Sequence, residues 1–116
     1  MMDQNKMWEM IEKANWSKDH NYERIGRKFK KLSYLVRYEL FAFIEQMMND
    51  LNDKFEKDWL GKPGIPVSDD GWSDLRAEVI GRGQKFYKTI TVDKLRKMAI
   101  DGDYYENFTY CMLDLD

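Results

Sequence analysis

One cysteine, one histidine and two prolines in 116 residues remove several classes of protein at once. Cys111 has no second cysteine to pair with, which excludes an internal disulfide. With His20 as the only histidine, no cluster of ligands is spaced for a structural zinc ion. No stretch approaches the roughly 20 apolar residues that a membrane-spanning helix needs. The opening MMDQNKMWEMIEKAN lacks an uninterrupted apolar run, so the expectation is a chain without a signal peptide that works in the reducing cytoplasm. A Walker phosphate loop, a Gly-x-Ser-x-Gly elbow and a His-Glu-x-x-His pair are all missing. No catalytic residue is assigned on this reading, and no metal or cofactor is expected.

What the chain does have is apolar and aromatic material. It is 43% hydrophobic and 15% aromatic, with four Trp and seven Tyr, enough to argue for a packed core despite a charged fraction of 34%. A chain of this size buries about two-thirds of its unfolded surface and needs no disulfide or metal to fold. Residues 1–116 are read as one domain.

Net charge is −2, so bulk attraction to nucleic acid is not expected, but the charges are unevenly placed. Between Lys18 and Arg37 stand seven basic residues against Asp19 and Glu23. The last sixteen residues carry Asp101, Asp103, Glu106, Asp114 and Asp116 without a Lys or Arg. The result is a dipole, basic early and acidic late.

The apolar residues recur at helical spacing. Met7, Trp8, Ile11 and Ala14 form one stripe, with Asp3 placed to cap it. Ser17 is the expected cap of the next helix, which carries Tyr22, Ile25, Phe29 and Leu32 and ends near Leu32. From Ser33 the longest run begins: Val36, Leu40, Phe43, Ile44, Met47, Met48, Leu51, Phe55 and Trp59, with no Gly or Pro before Leu60. The stretch 61–67 holds both prolines and two glycines and must be a loop. Ser68, Asp69 and Asp70 then lead into Trp72, Leu75, Val79 and Ile80, which Gly81 and Gly83 stop or kink. Phe86, Tyr87 and Ile90 follow in a short turn, and a helix is expected from Val92 to about Ala99. Asp103 and Glu106 have capping-box spacing for a last helix carrying Tyr104, Phe108, Cys111 and Met112. No segment alternates with period two. The predicted fold class is all-α, a compact bundle of about five to six helices with a Gly/Pro loop at 61–67.

Several stretches, in order, form a pattern: Met7-Trp8-Glu9-Met10-Ile11-Glu12-Lys13-Ala14, Leu32-Ser33 leading to Glu39-Leu40, Phe43-Ile44 and Met47-Met48. Next come Ser68-Asp69-Asp70-Gly71-Trp72, Arg76, Val79-Ile80, Gly83 and Phe86, and finally Tyr105-Glu106, Phe108 and Tyr110. In these stretches the chain resembles the bacterial family catalogued as domain of unknown function 4240. The most specific part is Ser-Asp-Asp-Gly-aromatic, with Arg five and Gly twelve residues after the first Gly. Two stretches depart from the family pattern. Phe55-Glu56-Lys57-Asp58-Trp59 stands where a Trp-Asp-x-Trp is usual, and Gly64-Ile65-Pro66-Val67 where Gly-Gly-Cys is usual. The resemblance implies a helical domain and supplies no activity.

The Ser68-Asp69-Asp70-Gly71 turn, with Trp72 and Arg76, reads in two ways. Adjacent carboxylates on a loop leading into a helix suit a divalent cation or acid–base work, with Arg76 folding back to separate them. The same residues suit a helix cap, its acidic side chains favoured by the helix dipole. Arg24, Arg27, Lys28 and Lys31 share one helix flank and form a candidate interaction face, for phosphates or for a protein, or else a solvated surface. Gly81-Arg82-Gly83-Gln84-Lys85 offers amides and cations to a phosphate, or simply breaks a helix. Cys111 falls on an apolar helical face, which favours inert packing over a Cys–His catalytic pair.

The functional expectation is a small non-catalytic module of bacterial or phage origin, an inhibitor or accessory protein that binds another protein. The alternatives are a small metal- or phosphate-binding protein or enzyme built on the Asp69–Asp70 turn, and nucleic-acid binding through residues 18–37. No membrane partner is expected, and a homodimer is left open.

Overall fold

The computed structural model describes residues 3–113, and all of its regular structure is helical. Asp3 caps α1 (Gln4–Ala14), its carboxylate accepting from the Lys6 amide at 2.9 Å. The helix buries Met7, Trp8, Ile11 and Ala14 and stops at Asn15, which adopts the left-handed conformation. The following turn is where expectation and structure part. Ser17 is exposed and caps nothing, because the amides of Lys18 and Asp19 bond back to the Asn15 carbonyl while Trp16 is driven into the core. The second helix therefore starts later, with Asn21 as its cap: α2 runs Tyr22–Lys30 and buries Ile25, Gly26 and Phe29.

Ser33 caps α3 (Tyr34–Leu60) as expected. At 1.5 Å per residue this helix is about 40 Å long and nearly spans the molecule's longest dimension of 44 Å. Leu40, Ile44, Met48, Leu51 and Phe55 form its buried stripe, at steps of three and four residues. The loop at 61–67 carries Gly64 at φ +76°, where a Cβ would stand 2.6 Å from the Gly61 carbonyl oxygen. Trp59 Nε1 donates to the Val67 carbonyl at 3.1 Å and turns the chain back.

The returning helix, α4 (Asp69–Gly81), is the centre of the fold. Its second half is buried on every side, from Ala77 through Gly81, with Glu78 the one charged residue among them, so this end of the helix lies inside the fold. It packs against α1 and α3, and against two later helices, α5 (Gln84–Thr89) and α6 (Val92–Asp101). Glycine at 81 admits the ring of Trp16, since a Cβ there would lie 2.5 Å from Trp16 Cδ1. Gly83 sits at φ +106°, and the Gln84 amide of α5 is taken by Glu12 Oε2 at 3.0 Å.

The expected helix from Asp103 does not form. The Asp103 carboxylate pairs with Arg82 at 3.0 Å, the Asn107 amide donates to Asp74 Oδ1 at 3.0 Å, and Tyr22 Oη donates to the Glu106 carbonyl. These long-range partners replace the capping box, and regular helix is confined to α7 (Tyr110–Leu113). Burial, with Glu106 and Asp74 nearby, pushes the Tyr22 phenol well above its ordinary range, so it stays a donor. Among the described residues there are thus seven helices, α5 and α7 being the short ones that periodicity alone does not separate. Asp114 and Asp116 of the expected acidic end lie outside the described residues.

Gly81→Ala replaces a poor helix former with the best one, yet it is expected to destabilise the protein by about 1–3 kcal/mol through overpacking against Trp16. Urea unfolding measures this, and an unchanged or raised midpoint would contradict the packing described.

Candidate functional site

Ser68 caps α4, its hydroxyl accepting from the Gly71 amide at 3.1 Å, with exposed Asp69 and Asp70 in the first turn where the helix dipole favours them. Gly71 is buried, and a Cβ there would press on Val67 Cβ at 3.0 Å and meet Tyr104 Oη at 3.4 Å, so glycine suits the close approach. Trp72 is buried, stacks on Trp59 and donates to Asn52 Oδ1 at 2.8 Å. Arg76 does not fold back onto Asp69 or Asp70. Its Nη1 donates to the Met48 carbonyl of α3 at 2.9 Å, its Nε to the Trp72 carbonyl at 3.3 Å, and the guanidinium lies over the Trp72 ring. Arg76 stands six and seven residues after Asp70 and Asp69, nearly two turns along the helix, and its guanidinium is engaged with α3 rather than with the helix start. No group of three or more His, Cys, Asp or Glu among the described residues is arranged to hold a metal ion.

Arg76 instead lines a pocket of about 280 Å³ between α3, α4 and the segment 107–110. Ser73 and Asn107 contribute polar groups, and Phe41, Met48 and Tyr110 supply apolar wall. Burial holds the Arg76 guanidinium below its ordinary value. Sequence reading reaches Arg76 but not Asn107, whose place depends on the irregular 103–109 chain.

The basic face is partly neutralised from within. Arg24 pairs with Asp19 at 2.9 Å and Arg27 with Glu23 at 3.1 Å. Lys28 Nζ donates to the Ala14 carbonyl at the C-terminal end of α1, at 3.0 Å. Lys28 and Lys31 also edge an apolar notch of about 210 Å³ between α1 and α2, where Lys13 is the third lysine and Met10, Ala14, Phe29 and Leu32 form the floor. Only the α1–α2 packing brings Lys13 to this face, so no spacing in the sequence announces it.

Glu78 and Arg82, four residues apart, form a buried centre that the sequence reading does not single out. Glu78 is 1% exposed and receives Trp16 Nε1 and Arg82 Nε, each at 3.0 Å, with His20 Nε2 at 3.4 Å. Burial pushes the Arg82 guanidinium down, but hydrogen bonds to Glu78 and Asp103 outweigh it and leave the group above its ordinary value. The phosphate-loop reading of 81–85 is accordingly displaced, since Arg82 is held by Glu78 and Asp103 and the Gln84 amide by Glu12. His20 stacks on Tyr105, whereas the Cys111 thiol is turned onto the Phe108 carbonyl.

A family model described as Protein of unknown function (DUF4240) matches residues 2–113. The chain belongs to this family. Comparison with curated proteins and with solved structures gave no match. In this DUF4240 protein the Ser-Asp-Asp-Gly-Trp stretch, Arg76 and Gly83 each do packing work: a cap, a close approach, a brace to α3 and a positive-φ turn.

Burial pushes the Cys111 thiol up from about 9 to about 11. At pH 8 its thiolate fraction is therefore about 100-fold lower than in the unfolded chain, and alkylation by iodoacetamide should slow by a similar factor in the native protein. Native labelling as fast as in urea would contradict this placement.

Proposed function

We propose that this protein is a non-catalytic binding module, and that its partner is a protein presenting an apolar side chain flanked by carboxylates. The observation that carries this reading is the α1–α2 notch, apolar at its floor and edged by Lys13, Lys28 and Lys31 on a chain of net charge −2. Lysine stems extend an apolar floor while the ammonium groups of exposed Lys13 and Lys31 remain in water and that of Lys28 sits on the Ala14 carbonyl, so such a notch favours an acidic surface with one inserted apolar anchor. Just beyond it in the chain, Tyr34, Leu35 and Tyr38 in the first turns of α3 are between 66% and 74% exposed. Three large apolar side chains this open on neighbouring turns support contact with a partner. An inhibitor or accessory role in the bacterial or phage cytoplasm belongs to the same proposal.

The pairing of Arg24 with Asp19 and of Arg27 with Glu23 favours a protein over nucleic acid, because it reduces the cations available to successive phosphates. The Asp69–Asp70 alternative loses the arginine that was to complete it, since Arg76 is engaged with Met48 and Trp72.

The test is capture of the partner from nuclease-treated lysate of the producing cells, then stopped-flow association with the purified partner. Lys28→Gln with Lys31→Gln is expected to slow association by about threefold to tenfold at low salt and to flatten its salt dependence. A rate indifferent to both lysines, or a complex that nuclease destroys, would contradict the proposal.

A further inference from the structure

The pocket between α3, α4 and residues 107–110 contains a positive charge that no carboxylate of the described chain neutralises. An arginine withdrawn from water ordinarily meets a carboxylate or phosphate, because an unpaired buried charge is costly. Arg76 is half-buried, and its two hydrogen bonds go to the neutral carbonyls of Met48 and Trp72. Those bonds and the Trp72 ring beneath fix the plane of the guanidinium fork, while Nη2 has no protein acceptor among the described residues. Its lowered pKa has burial as its cause, with no neighbouring charge contributing.

A second donor in the same pocket is equally underused. Asn107 is only 5% exposed. Its Oδ1 accepts from the Thr109 amide at 2.9 Å and the Thr109 hydroxyl at 2.6 Å, which fixes the orientation of the side-chain amide. Its Nδ2 then meets only the Met48 sulfur at 3.9 Å, a weak acceptor. A buried amide donor so poorly matched costs free energy unless an oxygen reaches it.

We propose that this pocket is a binding site for a small organic carboxylate, one that lies between the Arg76 guanidinium and the Asn107 amide with its carbon skeleton against Phe41 and Tyr110. A planar guanidinium and a planar carboxylate match in a two-point hydrogen bond. Phosphate fits less well, because the pocket offers one cation and Glu45 stands in its lining, where a dianion is repelled. The volume of about 280 Å³ is just below the usual range for drug-sized ligands, which points to a metabolite-sized acid. The site is separate from the α1–α2 notch and does not depend on the docking proposal.

The test is a titration of the whole ¹⁵N-labelled protein with the monoanions benzoate and butyrate, with neutral benzamide and with inorganic phosphate, followed by NMR. Benzoate or butyrate is expected to shift the Asn107 side-chain amide and the Ser73 and Tyr110 amides saturably, with Kd below about 1 mM. Arg76→Lys, which keeps the charge but not the fork, should weaken this by about tenfold. If that variant proves misfolded, the wild-type comparison decides alone: benzamide should leave the Asn107 side chain unmoved. Equal shifts from benzamide and benzoate, tighter binding of phosphate, or no saturable shift at these residues by about 10 mM carboxylate would each overturn the proposal.

Discussion

Glu78 stands on the innermost helix with 1% of its surface exposed, and three stretches of chain converge on it. Trp16 comes from the turn after α1, His20 from the approach to α2, and Arg82 from the end of α4, carrying Asp103 with it. Isolated, a carboxylate so placed would be strongly unfavourable, and the hydrogen bonds are what make it tolerable. The consequence is positional rather than a simple gain in stability. Satisfying Glu78 places the Trp16 ring against Gly81 and Phe108, seats His20 on Tyr105 and anchors the start of the irregular 103–109 segment. That segment then delivers Asn107 to the pocket and closes the molecule over α2. Replacing the network by apolar side chains would leave a core but no reason for this register.

The helices are legible in the sequence wherever one face decides. Steps of three and four from Leu40 to Phe55, without Gly or Pro, admit only a helix, and Gly64 with Pro63 and Pro66 ends it. The reading fails where tertiary partners outbid local ones. Ser17 and Asn21 are both good caps, and the choice falls to Asn21 because Trp16 must first be buried. Asp103 and Glu106 have the spacing of a capping box, but Arg82 and Tyr22, 21 and 84 residues away from their respective partners, claim them instead. Neither distance is visible to a local pattern.

The candidate surfaces show the same division. Lys28 and Lys31 are found from charge alone, whereas Lys13 joins them only through the crossing of α1 and α2. Arg76 is legible as a residue of interest, and its direction is not: facing Asp69 and Asp70 or facing α3 are equally compatible with its place in the helix. Glu78 is hidden for a plainer reason. A glutamate between Leu75 and Ile80 looks like the polar side of an amphipathic helix unless the helix is known to be buried all round. The signal available is the four-residue spacing to Arg82, which also occurs on countless solvated helices.

The most direct test of Glu78 as the organising contact is a double-mutant cycle in urea unfolding with Glu78→Gln, Arg82→Met and both together. Neutralising Glu78 alone leaves a half-buried guanidinium with one carboxylate fewer and is expected to cost about 3 kcal/mol, with a coupling to Arg82 of about 1–3 kcal/mol. If the two substitutions simply add, with a coupling near zero, Glu78 is not the contact on which the register of the 103–109 chain depends.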